Sequence, residues 1–423
     1  VATVVILFQP RDMFRTQFER QREPCGVWGV VTTIFPPTPS LIRFLEVAPD
    51  ACAVVVGDKK TSDQVWLDLM LQYSGRLTYL SAASQQTLPY SIMKLLRWNH
   101  FGRKNVGFMY AIHHGAEWVF DFDDDNAITA SQEQFLQILN LHNSTQKVSV
   151  VDTGGHHLYN PYPHYMPLDD EGKPVHVWPR GFPLNFINDN QTWGKTRKRS
   201  PIAASGVSVL QSLADHDPDV DAIYRMTGRL PIYFERPDET VAVPPGIYSP
   251  WNAQAVLLHR SALWGLLLPV SVEGRVCDIW RSYIVTRLLW ETDGTVAFAS
   301  PFVIQHRNPH QYQKDFMEEL DLYTKSGPLL DLLSAFQRYT DEKLDAAYRR
   351  LITLMHKGGF LGVEDVALME AWISDLASTD FKWPACTRRN MAFTPRQEMI
   401  KDGRVSFVDT GEQPAVPAVH AQG

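Results

Sequence analysis

Cysteine is scarce in this 423-residue sequence: Cys25, Cys52, Cys277 and Cys386 are the whole set, and no two share Cys-x-x-Cys spacing. That excludes a zinc ribbon and a disulfide-built scaffold, while one or two bridges stay open. Long apolar runs are missing as well. The early run Val1–Phe8 stops at Gln9-Pro10-Arg11-Asp12, far short of the about 18–20 residues that span a bilayer. Charge of one sign is not abundant either. Lys and Arg number 40 against 47 Asp and Glu, a formal charge of −7, which speaks against a general nucleic-acid binder. There is no internal repeat and no Gly-x-Ser-x-Gly elbow. Gly194-Lys195-Thr196 fails as a phosphate loop because Asp189 stands where its first glycine is required. The basic run Lys195, Arg197, Lys198, Arg199 reads as a solvated loop.

What is present is an ordinary globular composition, 44% hydrophobic and 21% charged, with length for two to three domains. The chain opens on Val1 instead of Met, so the expectation is a trimmed start, with any targeting signal or anchor lying before it. Two sequons, Asn143-Ser144-Thr145 and Asn190-Gln191-Thr192, suit a secretory-pathway protein.

Strand and helix signals alternate through the first half. Gly26–Ile34 reads as a buried strand ended by Pro36-Pro37-Thr38-Pro39, with Ser40 capping a helix over 41–47. Further strands are expected over 51–56, 77–80 and 118–122, and a helix over 106–114 with Gly115 just beyond it. This βα alternation predicts an open, mostly parallel sheet, whose ligands bind at the carboxyl ends of the strands. Residues 151–250, rich in Pro, Asn, His and Trp, read as functional loops. Residues 279–290 read as a helix with Asp278 near its start, 296–304 as a strand, and 320–339, 342–356 and 363–377 as helices. The expected division is an amino-terminal segment or stem remnant (1–24), an α/β domain (25–310), a helical carboxy-terminal module (311–400) and a disordered tail (401–423).

The run Phe120-Asp121-Phe122-Asp123-Asp124-Asp125-Asn126 carries the chemistry. A hydrophobic strand that runs into several carboxylates concentrates negative charge, and desolvating that charge is expensive unless a cation neutralises it. Hard oxygen ligands suit Mg²⁺ or Mn²⁺, an ion commonly shared with substrate phosphates. Read alone, the triplet is more often a solvated acidic turn; the preceding strand and the βα order favour the metal. Arg103 and Lys104 at a helix start form either an anion site or an exposed basic turn. Asp58 accepts from a base or ribose, or is a surface turn residue. Asp278 is an N-cap or a general base. His306, at a strand end, is a metal ligand or a simple hydrogen-bonding residue.

An ordered series of motifs makes the reading specific. It comprises Trp28-Gly29-Val30-Val31-Thr32-Thr33-Ile34-Phe35-Pro36-Pro37-Thr38, Val55-Val56-Gly57-Asp58, Arg103-Lys104-Asn105-Val106-Gly107 and the aspartate cluster. It continues with Val177-Trp178-Pro179-Arg180-Gly181, Pro218-Asp219-Val220-Asp221, Arg275-Val276-Cys277-Asp278 and Ala371-Trp372-Ile373. Over roughly 27–385 the chain resembles the STELLO family of Golgi glycosyltransferase-like proteins, which implies a GT-A (Rossmann-like) α/β fold. The resemblance implies that Thr32, Thr33 and Asp58 hold the nucleoside of a UDP-sugar and that Arg103 and Lys104 face its diphosphate. It further places Asp123, Asp125 and His306 on Mn²⁺ or Mg²⁺, with Asp121 and Asp124 behind them. Asn252 and Gln254 would lie near the donor sugar, and Asp278 would be the base of an inverting transfer. The acceptor would be a glycan or glycoprotein and the setting the Golgi lumen, with a membrane reached only through an anchor outside this chain; a homo-oligomer is compatible. A non-catalytic assembly role and a UDP-sugar mutase or self-glycosylating protein are the alternatives. Plant members carry Asp-Ala-Asp-Asp-Arg where this chain has Asp121-Phe122-Asp123-Asp124-Asp125.

Overall fold

The computed structural model describes residues 25–189, 199–235, 239–307 and 311–387, together with a hairpin of two strands, Gln397–Lys401 and Arg404–Val408. The segment 1–24, the Asn190 sequon, the basic residues 195–198 and the tail beyond 408 lie outside these residues. The hairpin overlaps the start of the expected disordered tail.

The amino-terminal half is wound as the βα pattern predicts. In order come β1 (Val27–Thr33), α1 (Pro39–Val47), β2 (Cys52–Gly57), α2 (Asp63–Gln72), β3 (Leu77–Leu80), a short α3 (Ala82–Gln85), α4 (Lys104–His113) and β4 (Trp118–Phe122). Strands β3, β2, β1 and β4 pair in parallel, in that order. Thr38, not Ser40, stands at the N-cap of α1, with Pro39 opening the helix. Gly107 lets α4 lie close on the sheet, because a Cβ there would sit 2.7 Å from Val30 and 2.8 Å from Val56. Cys25 and Cys52 form a disulfide joining the entry of β1 to that of β2.

The sheet continues beyond the classical βα half. After β5 (Asn126–Ile128), α5 (Gln132–Leu139) and β6 (Lys147–Val150) the chain makes a small two-stranded sheet from β7 (Pro167–Leu168) and β10 (Tyr233–Phe234). Within the stretch expected to be loops lie β8 (Arg199–Ala203), the ten-residue β9 (Val207–His216), α6 (Ala222–Thr227) and β11 (Val241–Val243). Strand β12 (Ala255–His259) and the eleven-residue β13 (Thr295–Gln305) flank β9. The sheet order is β3-β2-β1-β4-β12-β9-β13-β11-β6-β8, with β5 pairing off β13. Strand β12 runs antiparallel to both β4 and β9, and β9 runs parallel to β13. The carboxyl ends of β4, β9 and β13 therefore share one edge with the amino end of β12. That edge is where ligands are expected on such a sheet.

Side-chain alternation sorts the two faces. Phe120 and Phe122 of β4 pack on one side with Phe44 and Phe135. Val119 packs on the other with Val30, Val256 and the buried helices. On that second face α4 and α7 (Gly274–Leu289) cover the sheet. The carboxy-terminal helices α8 (Tyr312–Glu318), α9 (Leu320–Ala335), α10 (Leu344–Lys357) and α11 (Val363–Ala377) pack into the same core, with Leu329, Leu351 and Trp372 buried.

Candidate active site

Alternation along β4 divides the aspartate cluster into groups with different tasks. Asp121 points with Val119 into the helix-covered face and is fully buried. Lys104 Nζ reaches it at 2.5 Å and Arg281 of α7 at 2.8 Å. Lys104 also donates to Phe122 O at 2.9 Å and to Asp123 at 3.2 Å. Burial alone would lower the lysine's pKa; the charges of Asp121 and Asp123 outweigh it and raise the value. Lys104 and Asp121, both expected at the donor, are thus buried and pair with each other inside the fold. Arg103, expected at the diphosphate, also lies inside the fold. It is buried, stacks on Trp98 at 3.9 Å and donates to Gln85 and Leu96. Desolvation, partly offset by Asp58, brings its pKa down to about 10.

Beyond the end of β4 the chain turns outward. Asp123 and Asp125 both line a crevice of about 330 Å³ that also exposes Gln254, Asp278, Arg180, Arg275 and Arg307. Asp123 is 34% exposed. Desolvation raises its carboxyl to about 7, with Lys104 opposing and Asp125, Asp121 and Asp124 adding. Asp124 turns aside and accepts from Thr33 Oγ1 at 2.5 Å; its pKa is raised, chiefly by burial. The side-chain amide of Gln305 donates from Nε2 to both oxygens of Asp125, each at 3.2 Å.

The remaining candidates fall around this crevice. Thr32 donates to Val56 O at 3.2 Å. Asp58 is buried and accepts from the backbone of Lys59 at 2.6 Å and of Asn99 at 2.7 Å, so it shapes the loop at the end of β2. Ile34 and Phe35, just past β1, are the exposed apolar residues next to it in the chain. Asn252 accepts from Gln254 N at 2.9 Å, and Gln254 donates to Gln305 Oε1. His306 is exposed, its ring 4.6 Å from that of His216, and it is not among the crevice-lining residues. The expected third metal ligand is thus not assembled with Asp123 and Asp125.

Asp278 lies inside α7, not at its N-cap, which is Glu273. It lines the crevice and receives Arg180 Nη2 at 2.9 Å, Arg180 Nη1 at 3.2 Å and Ala253 N at 3.2 Å. Arg180 also clamps Asp219 at 2.7 and 2.9 Å. Burial would lower the pKa of Arg180, yet the two carboxylates hold it well above its usual value. Burial would likewise raise Asp219, but Arg180 keeps it below the ordinary range. One guanidinium between two carboxylates leaves a net negative charge at the crevice. Gly181, at φ 82°, lets this loop press on Ile279 of α7.

Sequence reasoning passed over Arg180, Asp219, Gln305 and Arg307 as site residues. The available signal was positional, since the first two sit in motifs of the ordered series and the last two at a strand end. Asp123 and Asp125 are the residues that could hold a divalent cation. Two hard carboxylates facing an open crevice, their mutual repulsion only partly relieved by Lys104 and Gln305, suit Mg²⁺ or Mn²⁺. Among the described residues no three His, Cys, Asp or Glu side chains converge into a ready-made cage.

Sheet order and crevice define an α/β protein with its candidate site at the carboxyl edge of one mixed sheet. The chain belongs to the STELLO glycosyltransferase family. The model described as STELLO glycosyltransferases matches residues 275–401. "Probable glycosyltransferase STELLO2" of Arabidopsis thaliana is 30% identical over 367 residues, covering 81% of this chain and 44% of that protein. "Probable glycosyltransferase STELLO1" of the same plant is 28% identical over 356 residues, covering 81% and 43%. The chain therefore spans less than half the length of these curated relatives. Among solved structures, S. aureus TarS 1-349 in complex with UDP-GlcNAc aligns over 93% of this chain and 99% of its own, at 10% identity and a TM-score of 0.32.

Proposed function

We propose that this chain is the transferase part of a glycosyltransferase that moves a sugar from a nucleoside diphosphate, UDP first among candidates, to a hydroxyl of a glycan or glycoprotein. The observation that carries the reading is the convergence of Asp123, Asp125 and Asp278 on one crevice at the carboxyl edge of the sheet. When bound there by Asp123 and Asp125, Mn²⁺ or Mg²⁺ would supply charge stabilisation to the departing diphosphate. The chain's own residues do the rest. Asp278 takes the acceptor's hydroxyl proton as that oxygen bonds to the sugar's anomeric carbon and the carbon–phosphate-oxygen bond breaks. Attack from the face opposite the leaving group gives inversion. Arg180 fixes the orientation of the Asp278 carboxylate, and Gln305 that of Asp125.

The Cys25–Cys52 bridge and the exposed sequon at Asn143 support an oxidising, secretory setting such as the Golgi lumen. Among the described residues no helix is long and apolar enough to cross a membrane. The test is a donor screen that reads UDP release with Mn²⁺ and with chelator, repeated with Asp278→Asn. Release that ignores the metal sinks the metal role; near wild-type transfer by the variant sinks the base. The withdrawal of Lys104, Arg103 and His306 from the crevice favours a second reading, a non-catalytic assembly role. Hydrolysis of no donor at all would select it, and a mass shift on incubation with a UDP-sugar would select self-glycosylation.

A further inference from the structure

We infer that Arg307 is the residue that receives the diphosphate of the donor, a role that rests on the glycosyltransferase reading. With Lys104 and Arg103 committed inside the fold, the arginines lining the crevice are Arg180, Arg275 and Arg307. Arg180 is consumed by Asp219 and Asp278. Arg275 is consumed by the fully buried Glu319, to which its Nε donates at 2.5 Å.

Arg307 is different. Its nearest carboxylate among the described residues, Asp217 Oδ1, lies 3.6 Å from Nε and is already held at 2.5 Å by Arg225, whose side chain is wholly buried. Asp217 thus faces two guanidiniums, and Asp219, the other aspartate acting on Arg307, is clamped by Arg180. Among the described residues Arg307 Nε has no hydrogen-bond partner, and Nη2 donates to Gln305 Oε1 at 3.2 Å. With the side chain only 11% exposed, water does little to screen the surplus charge.

The position of that charge identifies its ligand class. Gln305 accepts from Arg307 through Oε1 and donates to both oxygens of Asp125 through Nε2. One amide therefore ties the under-neutralised cation to the carboxylate assigned to the metal. A diphosphate bridging the two would satisfy both at once. Its oxygens match the planar, forked donors of a guanidinium, and a fixed cation at a leaving diphosphate stabilises the charge that develops there.

The test uses the whole chain with Mn²⁺ present and two probes, UDP and uridine, in calorimetry with parallel thermal melts. Wild-type protein that fails to prefer UDP over uridine removes the glycosyltransferase reading itself, before any variant is made. Given that preference, Arg307→Gln is expected to weaken UDP by about 10- to 100-fold, the worth of a charged hydrogen-bonded contact, and to leave uridine unchanged. Its ligand-free melting temperature should be no lower than wild type, because an unsatisfied cation has been removed. Arg307→Lys, which keeps the charge, should recover part of the UDP affinity. UDP binding within about twofold of wild type in Arg307→Gln would overturn the assignment. So would a variant that melts several degrees lower or loses uridine along with UDP, since that marks a structural ion-pair member.

Discussion

Asp121 and Asp123 stand two residues apart, yet they belong to opposite kinds of electrostatic environment. Asp121 has two cations within 2.8 Å and no solvent exposure. Asp123 shares one of those cations, faces three further aspartates and opens to a crevice. The first set is closed and belongs to the fold. The second is left unbalanced, and charge held unbalanced at a concave site is what a ligand can complete. Pleat alone would keep the two on one face; the difference comes from the end of β4 at Phe122, beyond which the chain turns outward.

Substitutions should separate the two sets on a single stability scale. Asp121→Asn strands Lys104 and Arg281 in the core and is expected to cost about 3–5 kcal/mol in urea unfolding; a loss below about 1 kcal/mol would erase the contrast. Thr33→Val removes the hydroxyl that holds Asp124 and should cost about 1 kcal/mol by the same measurement. Asp123→Asn should leave unfolding stability unchanged or slightly higher while it abolishes metal-dependent UDP release. A large stability loss there would move Asp123 into the structural set.

The smallest effect at neutral pH is expected at the far edge of the sheet, which serves as a reference. A cavity of about 590 Å³, larger than the crevice, lies there among Pro244, Pro245, Gly206, His142 and His259. Burial first, then His142 and Arg260, lowers the imidazole of His259 to about 4. A histidine held below its unfolded value of about 6.5 contributes fully above that pH, and the contribution is lost as pH falls from there through 4. His259→Asn should flatten that acid limb in melts taken between those pH values and leave transfer untouched.

Much of the fold could be read from the sequence. The strands at 77–80 and 118–122 and the helix at 363–377 fall where their patterns place them. Strand β9 was hidden because Ser208, Gln211 and Ser212 interrupt its apolar run without any turn residue. The structure pairs them internally: Ser208 with Ser261 at 2.8 Å, Gln211 with Ala255 O at 3.1 Å and Ser212 with Phe302 N at 3.1 Å. Helix α7 begins earlier than its apolar pattern because Arg275 and Asp278 are spent on ion pairs. The carboxylate cluster was legible because strand and charge are adjacent in the chain. The crevice's arginines were not, since they come from segments more than 50 residues away from the cluster in sequence, as with Arg180 and Arg307. Lys104 did carry a warning: a helix apolar all round is a buried helix, and its lysine must then be paired.

The Arg180 clamp constrains how related proteins can exchange parts. It reaches from the long Pro-rich stretch across to α7, so a graft of that stretch from a relative succeeds only if a guanidinium arrives at the same point. Without it, Asp219 and Asp278 would repel each other over the crevice mouth, and the transplanted wall would be pushed off its seat.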